Sequence, residues 1–561
     1  MMLITPSANS NPSGAAFGAN FATCTSGYDI FADPSTISND CREAIRADLK
    51  NRSYIRQTIW EADATGSLFD LPAGPLQAAI GLSYRDTKFQ YTNDTLTTQG
   101  VSFQDQALGI YPSGDTDGSI NVKELYGELS VPILKDTFIR ELTLELGGRI
   151  SDYSTTGTSY TYKALANLAV TDWLRFRGGY NRAERAPNIA ELYLAPQQTF
   201  AINALGDICS QRATNRVSAG IGTPFAADVQ AVCTAIMNHT AGAGSGAAYY
   251  GQPLAQQPAP GVAFAFPTLI GNANLKPEKA DTWTFGGVLR SPFTTPILSR
   301  LQLSVDWFNI KIKDAIGFSP GATLQQCLDP FYNALVTGAA GDAAQAQQAA
   351  LSAQCAGVIY QPGPFPGSPP GLGNITMQYS NQGKIDISGI DAQLDWSFPA
   401  GPGTVNLNVV GSYFLHYKVA ELASNPLVDY SGTFGTSAAG LSGAAFKWRT
   451  LTTLGYSIGK ANLSLQWQHL PSVKDSSSAL FPTPIAGAPS YDLFALNGSY
   501  SLTDNVTVRF GVDNLFNKAP PVTGINTSAD ESLGQLPGGT LSTLYYDSLG
   551  RRFSAGVNMK F

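Results

Sequence analysis

"RRFSAGVNMKF", Arg551 to Phe561, alternates without a break: Phe553, Ala555, Val557, Met559 and Phe561 are apolar, while Arg552, Ser554, Gly556, Asn558 and Lys560 are polar or small. A period of two means a β-strand whose faces meet different surroundings. The same alternation runs through "ANLSLQWQH" (461–469), "LTLEL" (142–146), "TVNLNVV" (404–410), "VTVRFGV" (506–512), "DAQLDWSF" (391–398) and "WLRFRGGY" (173–180). Read as units, these give about fifteen strands, starting near residues 51, 76, 120, 139, 158, 174, 277, 300, 376, 404, 443, 461, 489, 505 and 549. Many exceed ten residues, against a mean of about 5 to 6 in soluble proteins, so the spans argue for a wide barrel of tilted strands. A parity change from Trp307 to Phe308 and Ile310 suggests a bulge there.

The connections alternate in length. Short ones fall at "LPAGP" (71–75), "LKD", "TDW", "FTTP", "PAGPG" (399–403), "IGK" (458–460) and "LTD" (502–504), with long excursions between them, notably residues 186 to 276 and 317 to 374. Short turns at one end and long loops at the other are the layout of a bacterial outer-membrane barrel. One strand face is apolar and the other repeatedly carries Arg, Asp, Glu, Gln and Asn, and lipid covers fifteen apolar ribbons where a soluble fold would need a very large partner. Tyr153, Tyr160, Tyr162, Trp173, Trp283, Trp396, Tyr413, Trp448 and Trp467 lie near strand ends, as an aromatic girdle requires.

Composition agrees. Charged residues make up only 14% of the 561, against roughly 25% in soluble domains, and Gly is plentiful at 56. A net charge of −7 gives no basic field for nucleic acid, and no basic run of useful length exists. No run of 18 apolar residues exists, which excludes transmembrane helices and leaves transmembrane strands open. The six cysteines fall into local pairs, Cys24 with Cys41, Cys209 with Cys233 and Cys327 with Cys355, each in a Gly-, Ala-, Ser- and Asn-rich stretch. One disulfide per loop fits an oxidising compartment, and closing a loop of about 20 residues contributes about 3 kcal/mol in the chain-entropy model. The alternatives are six reduced structural cysteines or a zinc site; the latter is disfavoured because no C-x-x-C occurs and His239, His416 and His469 are scattered. "MMLITPSANSNPSG" lacks both the basic and the apolar region of a signal peptide, so either an export signal lies upstream and this chain is a truncated product, or the disulfide reading fails.

Several stretches resemble the TonB-dependent receptors of Gram-negative outer membranes. "YNRAERAPNIAELY", from Tyr180, resembles the exit from a barrel strand into a long external loop. "NANLKPEKADTWTFGGVL" (272–289) resembles the returning strand, with Asn274, Leu275, Pro277 and Glu278 matching the usual "NLxPE". "GVDNLFNKAPP" (511–521) and "LGRRFSAGVNMKF" (549–561) resemble the last two strands, with Phe561 as the terminal signal read by the outer-membrane assembly machinery. The resemblance implies an all-β, antiparallel transmembrane barrel, about fifteen strands of a 22-strand receptor barrel without the N-terminal plug or the box that touches TonB. Residues 51–561 are then the C-terminal portion of the barrel, and 1–50 part of an external loop closed by Cys24 and Cys41. Two unpaired edges would face lipid at several kcal/mol per lost group, so this stretch is not expected to insert stably or to perform gated uptake alone.

Function follows as expectation. The parent receptor would take up a scarce solute, a siderophore, corrinoid or oligosaccharide, with energy from TonB, in the outer membrane of a Gram-negative bacterium. In Tyr180 to Gln197, Pro187 stops the ladder and the charges face the lumen or the rim; Arg182, Glu184, Arg185, Asn188 and Glu191 are the candidate solute contacts beside a structural role. The rivals are a passive porin and a secreted carbohydrate-binding or hydrolytic β-protein. No enzyme motif, cofactor or metal set is found. "GTFGTSAAGLSG" (432–443) lacks the Lys of a phosphate cradle and reads as a loop tip. "SGDTDGS", with Asp115 and Asp117, lacks the EF-hand spacing. Asp386 with Asp391, and Asp504 with Asp513, read as lumen-facing charges rather than acid–base couples. "GDAAQAQQAALSAQCAG" (341–357) reads as a short helix in an external loop, without a strong apolar stripe.

Overall fold

The computed structural model describes residues 2–6, 20–26, 33–44, 49–98, 113–198, 201–203, 206–213, 227–258, 263–265, 267–363, 367–434, 446–479, 487–523, 540–541 and 545–560. Fifteen long strands form one antiparallel sheet in strict chain order. They are β1 (Arg52–Leu71), β2 (Gly74–Thr92), β3 (Thr116–Lys135), β4 (Glu141–Tyr153), β5 (Gly157–Ala169), β6 (Leu174–Arg185), β7 (Glu278–Arg290), β8 (Leu301–Gly317), β9 (Ser380–Ala400), β10 (Gly403–Ala420), β11 (Trp448–Ile458), β12 (Ala461–Leu470), β13 (Tyr491–Ser501), β14 (Val506–Asp513) and β15 (Arg552–Met559). Every strand expected from alternation is present. Among the described residues β1 and β15 pair on one side only, so the sheet has two open edges.

Register carries one face unbroken across the sheet. Val557 opposes Val508, which opposes Tyr500. Further along, Leu465 opposes Leu454 and Leu454 opposes Leu407. At the far side Ile150 opposes Leu125, which opposes Leu82. These side chains meet no protein core: Leu82 is 59% exposed, Leu146 42%, Phe285 59% and Phe553 76%. The two buried apolar clusters lie instead in the loops and at strand ends. A sheet face that is apolar and left bare among the described residues is the kind of face lipid covers.

The opposite face is polar and concave. Arg177 of β6 reaches past β7 to form a two-pronged pair with Asp306 of β8, Nε to Oδ1 at 2.7 Å and Nη2 to Oδ2 at 2.6 Å. Tyr126 of β3 likewise reaches past β2 and donates to Glu61 of β1 at 3.2 Å. Each pair passes over a glycine, Gly286 or Gly81, where a Cβ would collide with Asp306 or with the Tyr126 ring. Lys163 pairs with Glu128 on the same face at 3.0 Å.

Four expectations are corrected. Strand β8 runs in regular register through Trp307 and Phe308; its shifts against β9 lie between Ile312 and Ala315, where Asp314 adopts a φ of 57°, and between Ala315 and Ile316, while a separate one lies between β9 and β10, at Ser388/Gly389 opposite His416 and Phe414. Phe308 and Ile310 simply turn their apolar side chains inward, where Phe308 meets Phe414 edge-on. Tyr153 opposes Val122 on the inner face and so leaves the girdle, whereas Tyr160, Tyr162, Trp283 and Tyr413 stay outward and exposed. Asp386 falls outward, opposite Lys311, while Asp391 faces inward opposite Asp306. Asp504 sits in the turn after β13 and Asp513 at the far end of β14, so that pair lies at opposite ends of the sheet. The fourth correction, to the 341–357 helix, is described below. Phe561 and the tip around 435–443 lie outside the described residues.

A charge on the outward face near mid-strand costs about 2–4 kcal/mol in a barrel, and one on the lumen face far less. Leu82→Arg and Leu146→Arg in the full-length gene product are therefore expected to lower its unfolding free energy in lipid by that amount, measured by urea titration, while Ser464→Arg on the inner face leaves it nearly unchanged.

Candidate functional site

The site is the outer mouth of the sheet, where the connection after β6 turns back across the inner face. Asn188 begins a short helix α1 (Ile189–Tyr193) with a reciprocal cap: its side chain accepts from Glu191 N, and Glu191 accepts from Asn188 N. Pro187 removes a ladder donor just before it, which ends the strand. Helix α1 lies over β3, three strands away, with Ile189 and Tyr193 against Gly118, where a Cβ would strike the tyrosine ring. Ala195 N donates to Thr116 Oγ1 at 3.2 Å and fixes the crossing.

Arg185 holds this crossing to the sheet. Its guanidinium donates to both Glu191 oxygens at 2.9 and 3.0 Å and to Glu278 of β7 at 2.6 Å. Glu278 also accepts Ile316 N of β8 at 2.6 Å, so one arginine links β6, β7, β8 and α1. Of the other candidates, Arg182 donates to both Asp281 oxygens at 2.8 and 3.0 Å, and Glu184 accepts the Ser159 hydroxyl at 2.6 Å. The structure thus groups Arg185, Asn188 and Glu191 at one joint and sets Arg182 and Glu184 apart from it. All five are engaged by protein partners.

Beyond this joint the two longest loops fold into a single cap, which sequence reading treated as separate excursions. Helices α2 (Ala227–Thr240), α3 (Ser245–Gly251), α4 (Pro320–Leu328) and α5 (Ala343–Ala350) share one buried cluster with Val358, Tyr360, Ile375 and Met377. A four-stranded sheet crosses between the loops, in the order Val358–Gln361, Gly371–Gln378, Thr268–Ile270 and Gln197–Gln198. Disulfides Cys209–Cys233 and Cys327–Cys355 both enter this core, and a third, Cys24–Cys41, lies apart. Helix α5 does carry an apolar stripe, of small residues: Ala346, Ala349 and Ala350 are buried. The signal for α2 was present at helical spacing in Val229, Val232, Ile236 and Met237.

One polar knot lies inside the cap. Asp207, buried, accepts the Tyr249 hydroxyl at 2.7 Å and the Tyr360 hydroxyl at 2.6 Å, and Cys209 N at 3.0 Å. It joins the first loop to the second. Burial beside this carboxylate drives both phenols well above the ordinary range, so they remain donors. At the cap's foot, half-buried Glu421 accepts from Ser319, the residue that caps α4, at 2.9 Å. Burial pushes its carboxyl up to about 8.

The model of the family described as TonB dependent receptor-like, beta-barrel matches residues 8–515. The chain belongs to the TonB-dependent receptor family. Among solved structures of that architecture, it superposes on the siderophore receptor PirA from Acinetobacter baumannii at 15% identity and a TM-score of 0.50, covering 91% of this chain and 55% of that one. It also superposes on a mutant ferric enterobactin receptor from Pseudomonas aeruginosa in complex with enterobactin, at 14% identity and a TM-score of 0.53, covering 91% and 55%. At such identities the likeness speaks for the fold, and the chain spans just over half the length of these receptors. No curated protein matches it in sequence.

Two outcomes check the joint and the foot. Removing one partner of a half-buried charged pair strands the other, at about 1–3 kcal/mol. Arg185→Ala is therefore expected to expose Ile189–Tyr193 to faster amide exchange and proteolysis while the long strands stay protected. For Glu421 the folded pKa lies above the ordinary 4.5, so its contribution is fully present below 4.5 and is lost as pH rises through about 8. Proteolysis of the cap in the wild type should accelerate above pH 8 relative to below it, and Glu421→Gln should flatten that dependence.

Proposed function

We propose that this chain supplies the C-terminal portion of the barrel and the external cap of an outer-membrane receptor that takes up a scarce solute. In this reading residues 51–561 are that portion and residues 1–50 belong to an external loop. The observation that carries the proposal is the combination of an apolar outward face with a polar concave face crowned by a folded cap, in a chain matched by the receptor family over residues 8–515. The solute is a siderophore, corrinoid or oligosaccharide, and the relatives' names, siderophore receptor and ferric enterobactin receptor, make ferric chelates the first class to test. The cap and the paired charges of the inner face, Arg177 with Asp306 and Lys163 with Glu128, would meet the solute, while Arg185, Asn188 and Glu191 hold the cap's base in place. Energy would come from TonB acting through a plug, and the assembly machinery would insert the barrel.

The parent gene decides this. Its deletion in the source bacterium is expected to abolish growth on one ferric chelate as sole iron source, and the loss should be reproduced by deleting tonB. Uptake that persists without TonB would favour a passive channel and overturn the proposal.

A further inference from the structure

A cavity lies at the foot of the cap, between α4 and the inner face of β7, β8 and β9. Its volume is about 60 Å³, more than the roughly 10–15 Å³ that one water requires on that measure, so it has room for a small molecule. Ile316 and Ile385 give it apolar walls, and Thr323 and Gln326 bring neutral side-chain oxygens to it. Two carboxyl groups complete the lining, Glu278 from β7 and Glu421 from just past β10.

Among the described residues no cation lines this cavity. Arg185 reaches Glu278 from β6 at 2.6 Å, but it also holds both oxygens of Glu191 on α1. Lys384 of β9 donates to Ala423 O at 2.6 Å and makes no ion pair. Glu421 has one partner among the described residues, the Ser319 hydroxyl, on one of its two oxygens. Three carboxyl groups therefore share one guanidinium, and the second oxygen of Glu421 is left to whatever fills the cavity. A carboxylate withdrawn from water without a cation is costly, and a paired cation that also makes hydrogen bonds offsets the cost. A primary ammonium brings a compact charge and three donors, enough for one carboxylate and two neutral oxygens. An anion would be repelled here, and a neutral molecule would leave the charge uncompensated.

We propose that the cavity under α4 is a binding site for a primary ammonium ion, or a small molecule that carries one, gripped by Glu421 with Thr323 and Gln326, and that its occupation ties the cap to the sheet. The site stands apart from solute uptake, since it needs neither TonB nor the transported solute. The test uses the full-length gene product in non-ionic detergent at a pH just above 8, where Glu421 is ionised and cleavage of the cap by protease is fast. Methylammonium chloride at hundred-millimolar concentration should slow that cleavage by at least about threefold in the wild type, the factor given by a ligand at about twice its Kd. Sodium chloride and tetramethylammonium chloride at equal ionic strength, whose cations have no N–H group, should not. Glu421→Gln should abolish the methylammonium effect, and Gln326→Lys, which tethers an ammonium at the cavity, should slow cleavage with no amine added. The site is overturned by a wild type that ignores methylammonium, by an equal response to all three salts, by a methylammonium response that survives in Glu421→Gln, or by a Gln326→Lys protein cleaved as fast as the wild type.

Discussion

Hydrocarbon offers a backbone no hydrogen bonds, and that constraint organises this molecule. A chain that crosses lipid in extended form must pair every N–H and C=O with a neighbouring strand, and must turn every second side chain toward an apolar medium. Apart from a few bulges, the fifteen-strand ladder meets the first demand, and among the described residues its open edges are β1 and β15. The unbroken apolar face meets the second. In a membrane the two edges require partners that the described residues do not supply, and each unpaired group costs several kcal/mol.

The same rule explains why the rest of the structure gathers at one end. The connections at the turn end are short, because nothing there needs more chain than a reversal. At the mouth the chain is in water, can bury a core, and does so: two loops far apart in sequence share one cluster, two disulfides and the Asp207 knot. A core this small gains from covalent closure, worth about 3 kcal/mol for each loop of this size in the chain-entropy model. Arg185 then transmits the sheet's rigidity to the cap, because a guanidinium held by two carboxylates on different elements leaves little freedom to either.

Alternation made the sheet legible from the residues alone, since a period of two is a local property and lipid enforces it on every strand. Girdle positions were legible for Tyr160, Tyr162 and Trp283, which obey their strand's parity, and failed at Tyr153, where proximity to a strand end was used without counting parity. Asp386 was misplaced for the same reason. The bulge was sought where apolar identity changed, at Trp307 and Phe308, but a change of residue type on a regular strand needs no change of backbone; the real irregularity sits at Asp314, whose left-handed φ carries no hydrophobic signal. Arg185, Asn188 and Glu191 were singled out only as charged and polar groups of the stretch that leaves the strand; the helix start that Asn188 and Glu191 make, Asn with a Glu three residues on, was legible there but went unread. Their tie to Glu278 was not legible, because it spans 93 residues of sequence. The shared cap core was hidden for the same cause: each loop taken separately looks like a Gly- and Ala-rich excursion.

The fold requires lipid to touch alternate residues of these ribbons. A nitroxide placed in turn at each position from Phe553 to Met559 of the full-length gene product in bilayers tests it most directly. Collision rates with oxygen should peak at Phe553, Ala555, Val557 and Met559, and rates with a water-soluble nickel complex at Ser554, Gly556 and Asn558. Accessibility to the nickel complex that is uniform along the strand, or greatest at the apolar positions, would contradict it.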